Sequence, residues 1–550
     1  MSRTLALNPF PDISSEATVP DLFADILRER IVLRCTTPLE QAIHLRLALD
    51  DTLQPEGFAI ENREGAICLR GTDCATLLAG MGHFLRTSQY RGGVFVPSTW
   101  RGVSHALKPI RGIYFATHFH NYFHDAPLAE VNRYVEDLAL WGYNVLQVWF
   151  DMHHYTGIHD PAAQAMLERL RNVLAAAKRI GLKTGIGVLA NEAYATSPVN
   201  LRADSNTQRA HYKVELCPSL PGAIEQTLSW FDEEFRAFAS IAPDFLWVWP
   251  YDQGGCACEN CKPWGANGFL RIGRKVGELF KRHFPHGKVI LSTWCFDYGT
   301  PQGEWEGLAA RMGEERAWID YILAGCHEMQ FPEYVLKHGS PGNLPLLDFP
   351  EISMYGMVPW GGFGANPRPA NLQLLWNNEG ARVAGGFPYS EGIFEDFNKV
   401  IMAQFYWSGR PALETAHEYM TYECGAEVPE LILQAIAIYE ANQLRSWENG
   451  DYSPPYTKCL MPEDKGSRRA VELMQRADAD LPTWARTQWR WRILYLRALI
   501  DAEMFQSNGV PPDTCEPWFH ELMRIYHAQH ADIVVAPPTR ETRRRSNAAL

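Results

Sequence analysis

Gly385-Gly386-Phe387-Pro388-Tyr389-Ser390-Glu391-Gly392-Ile393-Phe394-Glu395-Asp396 carries a short apolar run, opening at Ala384, into a polar turn and then into a segment that can continue as a helix past Asn398. The run reads as a strand, and the glycine-flanked turn presents Glu391 at its carboxyl end. In a parallel barrel or open sheet this is where chemistry is placed, because the loop beyond the strand, and not the packed core, brings side chains to a ligand. A carboxylate that merely caps or solvates its loop is the plainer reading of one such turn. Similar strand ends recur upstream, and their recurrence favours a site.

Working back from that stretch, strand-then-helix units follow one another from Ile110. Strands are predicted over 112–116, 144–150, 183–189, 244–249, 289–294, 318–323, 344–348 and 384–388, with helices over 127–141, 161–180 and 223–240 among those between them. Eight βα units predict an α/β fold with a TIM (β/α)8 barrel over 109–410. A doubly wound open sheet is the competing topology, disfavoured because no glycine-rich phosphate loop follows the first strand. Residues 1–108 read as a smaller α/β sandwich: a strand at 31–35, an amphipathic helix at 39–53, strands at 58–61 and 66–70 around the polar turn 62–65, and a helix at 73–86. From 411 to 550 strand signals stop and long helix-compatible segments form an α-helical domain, expected to pack against the barrel.

The net charge of −13 argues against a nucleic-acid partner, and the Arg540-Glu541-Thr542-Arg543-Arg544-Arg545 cluster reads as a solvated tail. With 46% hydrophobic and 21% charged residues the composition is that of a globular protein. No run of about 18 apolar residues offers a membrane span, and no secretory leader is evident, so a soluble, cytoplasmic protein without a membrane partner is expected. The 12 cysteines are too sparse for a disulfide framework and suit a reducing compartment. Self-association is left open. Aromatic residues make up 12% of the chain, and several lie beside polar residues at strand ends, as sugar rings require; the alternative is that they fill a large core.

The segments after the strands supply candidate ligand-binding groups: His118 and His120 after the first, Trp149, Asp151 and His153 at the second, Glu192 at the third, Tyr251 and Asp252 at the fourth, Trp294 and Asp297 at the fifth, Asp348, Glu351 and Trp360 at the seventh, and Tyr389 with Glu391 at the eighth. Cleaving a glycosidic bond needs one carboxyl to protonate the departing oxygen and another to act as nucleophile or to activate water. Asp252 and Glu391 are the leading catalytic pair. Strands four and eight face each other across a barrel, a wide separation that suits inversion, whereas Asp348 or Glu351 would sit nearer Asp252 and suit retention. For Asp151 and Asp297 a hydroxyl-accepting role is preferred to proton transfer. Trp149, Trp249, Trp294, Trp360 and Tyr389 are expected around one pocket.

Cys256-Ala257-Cys258-Glu259-Asn260-Cys261 follows Asp252 directly. Three thiols in one short loop can wrap a tetrahedral zinc ion but lack a fourth ligand nearby. Cys295, at the next strand end, is the first choice, with Cys326 and Cys217 as others. One structural zinc is therefore the cofactor expectation, against reduced, buried cysteines as the alternative.

The order of these domains, together with Arg111-Gly112-Ile113-Tyr114-Phe115 opening the barrel and Leu138-Ala139-Leu140-Trp141-Gly142-Tyr143-Asn144 leading into strand two, resembles glycoside hydrolases that join a zincin-like α/β domain to a (β/α)8 barrel, such as the family 20 β-N-acetylhexosaminidases and family 67 α-glucuronidases. The resemblance implies an exo-acting glycoside hydrolase working by paired carboxylates on small oligosaccharides or glycosides. Family 20 enzymes carry an adjacent Asp-Glu pair after strand four, where this chain has Asp252-Gln253. An inverting scheme like that of the α-glucuronidases, with its acid after strand four and its base later in the barrel, is then the closer analogy. Two other readings stay open: a carbohydrate-binding protein on a degenerate barrel, and a metal-dependent hydrolase or lyase using the cysteine loop.

Overall fold

The computed structural model describes residues 10–35, 37, 39, 42–205, 212–251, 254–298, 301–326, 330–353, 360, 363–444, 460–529, 537, 539 and 540. Its centre is a closed barrel of eight parallel strands, Ile110–Phe115, Val145–Trp149, Lys183–Leu189, Phe245–Trp249, Lys288–Ser292, Tyr321–Cys326, Leu346–Pro350 and an eighth strand in two pieces, Gly385–Gly386 and Tyr389–Ser390. Each strand pairs with its sequence neighbour, and both pieces of the eighth return to the first, Gly385 opposite Ile110 and Tyr389 opposite Tyr114. Buried by helices outside and side chains inside, these strands are near-continuous apolar runs.

Closure depends on two residues without side chains. A Cβ on Gly385, at φ +122°, would overlap the Ile110 carbonyl, and one on Gly386 would overlap Asp348 Oδ1. Across the barrel's seam, Gly112 likewise leaves the space that Phe387 fills. Pro388, which has no N–H to offer, interrupts the eighth strand but still accepts from Tyr114 N at 3.2 Å. The sixth strand begins at Tyr321 and not at the expected 318, because Trp318 belongs to the preceding turn, where its indole donates to Glu315 at 2.7 Å.

The amino-terminal sheet has five strands in the order Asp12–Ser15, His44–Leu49, Ala66–Gly71, Gly57–Arg63, Gly102–His105. Its central hairpin turns at Glu64 and Gly65, both at positive φ, as a two-residue turn matching strand twist requires. Two sequence expectations are corrected. The helix expected over 39–53 is the strand His44–Leu49, in which exposed His44 and Arg46 alternate with buried Leu45 and Leu47. The strand expected over 31–35 is instead the end of helix Leu22–Val32, in which Phe23, Ile26, Leu27, Arg30 and Ile31 form one buried face. Helix Cys74–Thr87 is capped by Asp73 as expected of a helix start.

Arg111, in the first barrel strand, ties these two parts: its guanidinium donates to Glu56 at 2.9 Å and to the Gly142 carbonyl at 2.7 Å. After the eighth strand come helices Asp396–Ser408, Ala412–Cys424, Pro429–Asn442, Ser467–Asp480, Trp489–Gln506 and Glu516–Ile525. Arg490 joins them to the barrel through Asp396 at 2.9 Å and Asp137 at 3.0 Å, and Arg34 reaches Glu423 at 2.8 Å from the amino-terminal side. Such buried pairs fix orientation more than they add stability, but losing one partner strands a charge. No described helix is long and apolar enough to cross a membrane.

Gly386→Ala is expected to lower the unfolding free energy by about 1–3 kcal/mol, the cost of forcing an extra carbon into a packed site. Gly313→Ala, where an added Cβ meets nothing within 4 Å, should instead be neutral or gain up to about 1 kcal/mol by helix propensity. Urea unfolding followed by tryptophan fluorescence measures both; equal midpoints would contradict the account of closure.

Candidate active site at the carboxyl end of the barrel

Side chains pointing into the barrel build an aromatic floor. Trp249 lies 5.9 Å from Trp149, 5.7 Å from Trp294 and 5.1 Å from Phe349, ring centre to ring centre. Phe349 continues to Tyr389 at 5.9 Å, Tyr389 to Tyr114 at 5.9 Å, and His118 closes the circuit to Trp149 at 5.5 Å. Trp149, Trp249, Trp294 and Tyr389 thus share one cluster, as the sequence suggested, with Tyr114 and Phe349 added by the inward parity of their strands. The indole Nε1 of Trp149 is buried and has no hydrogen-bond partner among the described residues.

Glu391 stands at the edge of this floor. Its Oε1 accepts the Tyr389 hydroxyl at 2.9 Å, while Oε2 is buried with no hydrogen-bond partner among the described residues. Burial, reinforced by the nearby carboxylates Glu351 and Glu395, raises its pKa well above the ordinary carboxylate range. The loop is held from behind: Glu395 Oε1 accepts from the backbone N–H groups of Glu391 at 2.8 Å and Gly392 at 3.0 Å, Lys399 donates to the Gly392 carbonyl, and Tyr526 donates to the Glu391 carbonyl at 2.7 Å. A Cβ at Gly392 would strike Tyr526 and Tyr122, so the turn needs glycine there. Glu351 ends strand seven beside Tyr389, and its Oε1 accepts from Ser353 N at 2.9 Å.

The rim after strands one to three carries histidines and a carboxyl pair. His118 is buried, with Nδ1 2.6 Å from the Tyr114 hydroxyl, and burial pushes its pKa down to about 3. His153 hydrogen-bonds Asp151 and is pushed down to about 4 by burial, and His154 is lowered by the same cause. These imidazoles are neutral at neutral pH, each offering a donor and an acceptor. Glu192 accepts from Met152 N at 2.7 Å and Leu189 N at 3.0 Å. Burial, then Asp151, raises its pKa well above normal. Behind it Glu234 is fully buried, and neither of its carboxyl oxygens has a hydrogen-bond partner among the described residues.

Several expected site residues lie elsewhere. Asp252 is outside the described residues. Asp348 does not face the pocket: Leu347 and Phe349 take the inward positions, and Asp348 points to the helix layer, where it accepts the Tyr406 hydroxyl at 2.6 Å. Trp360 is also corrected, for it packs under Arg497 and donates to Asp501 at 2.7 Å among the carboxyl-terminal helices. Tyr251 donates to Glu304 beneath the strand-four loop. Asp297 accepts from Gln302 N at 2.9 Å and Glu304 N at 3.1 Å, shaping the start of the next helix. His120 stacks on His124 at 4.8 Å and faces Asp125 at 3.1 Å. Cys295 borders the aromatic floor and does not join Cys256, Cys258 and Cys261; Cys217 does. Sequence reasoning missed Glu395 and Lys399, an i,i+4 pair 3.5 Å apart that reads as ordinary helix polarity.

No protein-family model and no curated protein matches the chain by sequence. Its fold is similar to that of solved glycoside hydrolases. A family 115 4-O-methyl-α-glucuronidase with specificity for decorated arabinogalactans superposes with TM-score 0.63 at 8% identity, covering 94% of this chain and 76% of that one. A Clostridium perfringens family 89 enzyme, solved with GlcNAc-α-1,4-galactose, gives 0.61 at 11% identity over 88% of this chain and 62% of that one. A Vibrio harveyi family 20 exo-β-N-acetylglucosaminidase gives 0.52 at 13% identity over 78% and 75%. The (β/α)8 barrel expected from the sequence is thus one that solved glycoside hydrolases share, family 20 among them. At these identities the likeness is one of architecture.

Glu234 offers a check on the electrostatics beneath this site. Burial, then Glu192 and Asp151, places its folded pKa well above the unfolded one. Its contribution to stability is therefore complete below the unfolded value, ~4.3, and is lost as pH rises toward the folded value, by about 1.4 kcal/mol per unit of elevation. Glu234→Gln cannot ionise and should gain on the parent as pH rises above the unfolded value in thermal or urea unfolding. A difference that stays constant with pH would contradict the buried, protonated carboxyl.

Proposed function

We propose that this protein is an exo-acting glycoside hydrolase in which Glu391 is the proton donor to the departing oxygen. The observation that carries the reading is the placement of the Glu391 carboxyl: buried at the carboxyl end of an aromatic-floored barrel, with one oxygen bonded to Tyr389 and the other without a hydrogen-bond partner among the described residues, where burial and the neighbouring Glu351 and Glu395 raise its pKa. A general acid must hold its proton at working pH and deliver it without first breaking many hydrogen bonds, and burial beside other carboxylates serves both needs. The floor of Trp149, Trp249, Trp294 and Phe349 suits the C–H face of a sugar ring.

Neutral His118, His153 and His154 suit sugar hydroxyls, which need a donor and an acceptor at each position. Asp252, following strand four, is proposed as the base that activates water from the opposite side, the wide arrangement of inversion. Glu351 beside Glu391 keeps the acid protonated and is not itself proposed as the nucleophile. The names of the structural neighbours, which concern α-glucuronides and N-acetylglucosaminides, define the first sugars to try.

A panel of aryl glycosides and oligosaccharides, with products followed by NMR, tests the activity and its stereochemistry. On whichever substrate turns over, Glu391→Gln should lower kcat by about 10²–10⁴-fold with KM little changed. The parent's rate should fall as pH rises through the elevated pKa of Glu391, and the variant should lack that limb. Activity within about threefold of the parent would remove Glu391 from the chemistry; binding without turnover by the parent would favour the carbohydrate-binding reading.

A further inference from the structure

The loop after strand four meets a second loop that sequence spacing does not connect to it. Cys217 Sγ lies 3.7 Å from Cys258 Sγ and 3.9 Å from Cys261 Sγ, and with Cys256 all four sulfurs fall within 4.8 Å of one another. These distances are too long for disulfides, and the cysteines are free thiols. A tetrahedral zinc ion with Zn–S bonds of about 2.3 Å places its sulfurs roughly 3.8 Å apart. We propose that Cys217, Cys256, Cys258 and Cys261 bind one structural zinc ion that fastens the loop after strand three to the loop after strand four.

The surroundings are built for such a clamp. Asn191, at the end of strand three, donates to the carbonyls of Leu216 and Gly255, both at 3.0 Å, and accepts from Gly255 N at 3.2 Å, so one side chain aligns the residues preceding Cys217 and Cys256. The Cys258 carbonyl accepts from the amides of Cys261 at 2.9 Å and Lys262 at 3.1 Å, turning the chain so that the last two sulfurs converge. Cys217, Cys256 and Cys261 are buried, and Cys258 is half-buried at the edge. Four thiolates leave no open coordination position, which makes the ion structural and counts against the metal-dependent hydrolase considered from the sequence. Orientation of first ligands by such neighbouring hydrogen bonds is the usual support of a metal site.

Elemental analysis of the full chain purified without chelator should give one zinc per chain, irrespective of any turnover. Cys217→Ser should lose most of that zinc and unfold at a lower temperature, and Cys295→Ser should retain it. If Cys217→Ser does not fold, X-ray absorption on the parent decides, with four sulfur neighbours at about 2.3 Å expected. Zinc-free parent protein, full zinc in Cys217→Ser, or nitrogen and oxygen scatterers in place of sulfur would overturn the proposal. Because the readout is metal content, its failure is distinct from a failure of the glycosidase reading.

Discussion

Closure of the barrel at a seam that admits no side chain is the constraint on which the rest depends. Gly385 and Gly386 let the eighth strand lie against both the Ile110 backbone and Asp348, and Gly112 leaves the matching space for Phe387. With the seam shut, alternate residues of every strand are forced inward, and large aromatic rings, with Leu189 beside Trp249, dominate the upper layer. That choice has a consequence at the mouth. A wide, low-dielectric floor disfavours the charged form of a carboxyl buried at its rim.

Glu391 is the residue so placed, and the chain invests a supporting layer in its position. The carboxyl of Glu395, the ammonium of Lys399 and the hydroxyl of Tyr526 all act on the backbone of 391–392, while the Glu391 side chain accepts the Tyr389 hydroxyl through one oxygen. Tyr526 lies just past the last long helix, so the carboxyl-terminal helices reach the site as well as covering the barrel. After strands two and three, Asp151 and Glu192 share a buried space, and burial followed by the Asp151 charge raises the pKa of Glu192.

How much of this the sequence disclosed follows the physics of each signal. Strand-then-helix alternation was legible because buried parallel strands are near-continuous apolar runs, and Lys183–Leu189 was read to the residue. Parity within such a run was not: in Leu-Pro-Leu-Leu-Asp nothing marks which residues face inward, and Asp348 was placed on the wrong side. The 39–53 segment carries both periodicities, and pairing with its sheet neighbours decided for a strand. Cys217 and Trp360 sit in long connections, where sequence distance says little about spatial distance; one converges on the cysteine loop and the other leaves for Arg497. The Glu391 turn was legible because a polar turn with Gly392 ends an apolar run, and glycine there marks close backbone approach.

The protonation state of Glu391 is the most direct test of the account. Difference infrared spectroscopy of the parent against Glu391→Gln at neutral pH isolates this carboxyl from the other buried acids. The account requires the C=O stretch of a protonated carboxylic acid in the parent, absent from the variant and fading as pH is raised. A parent that shows a carboxylate band at this position at neutral pH would contradict it, because an ionised Glu391 has no proton to deliver.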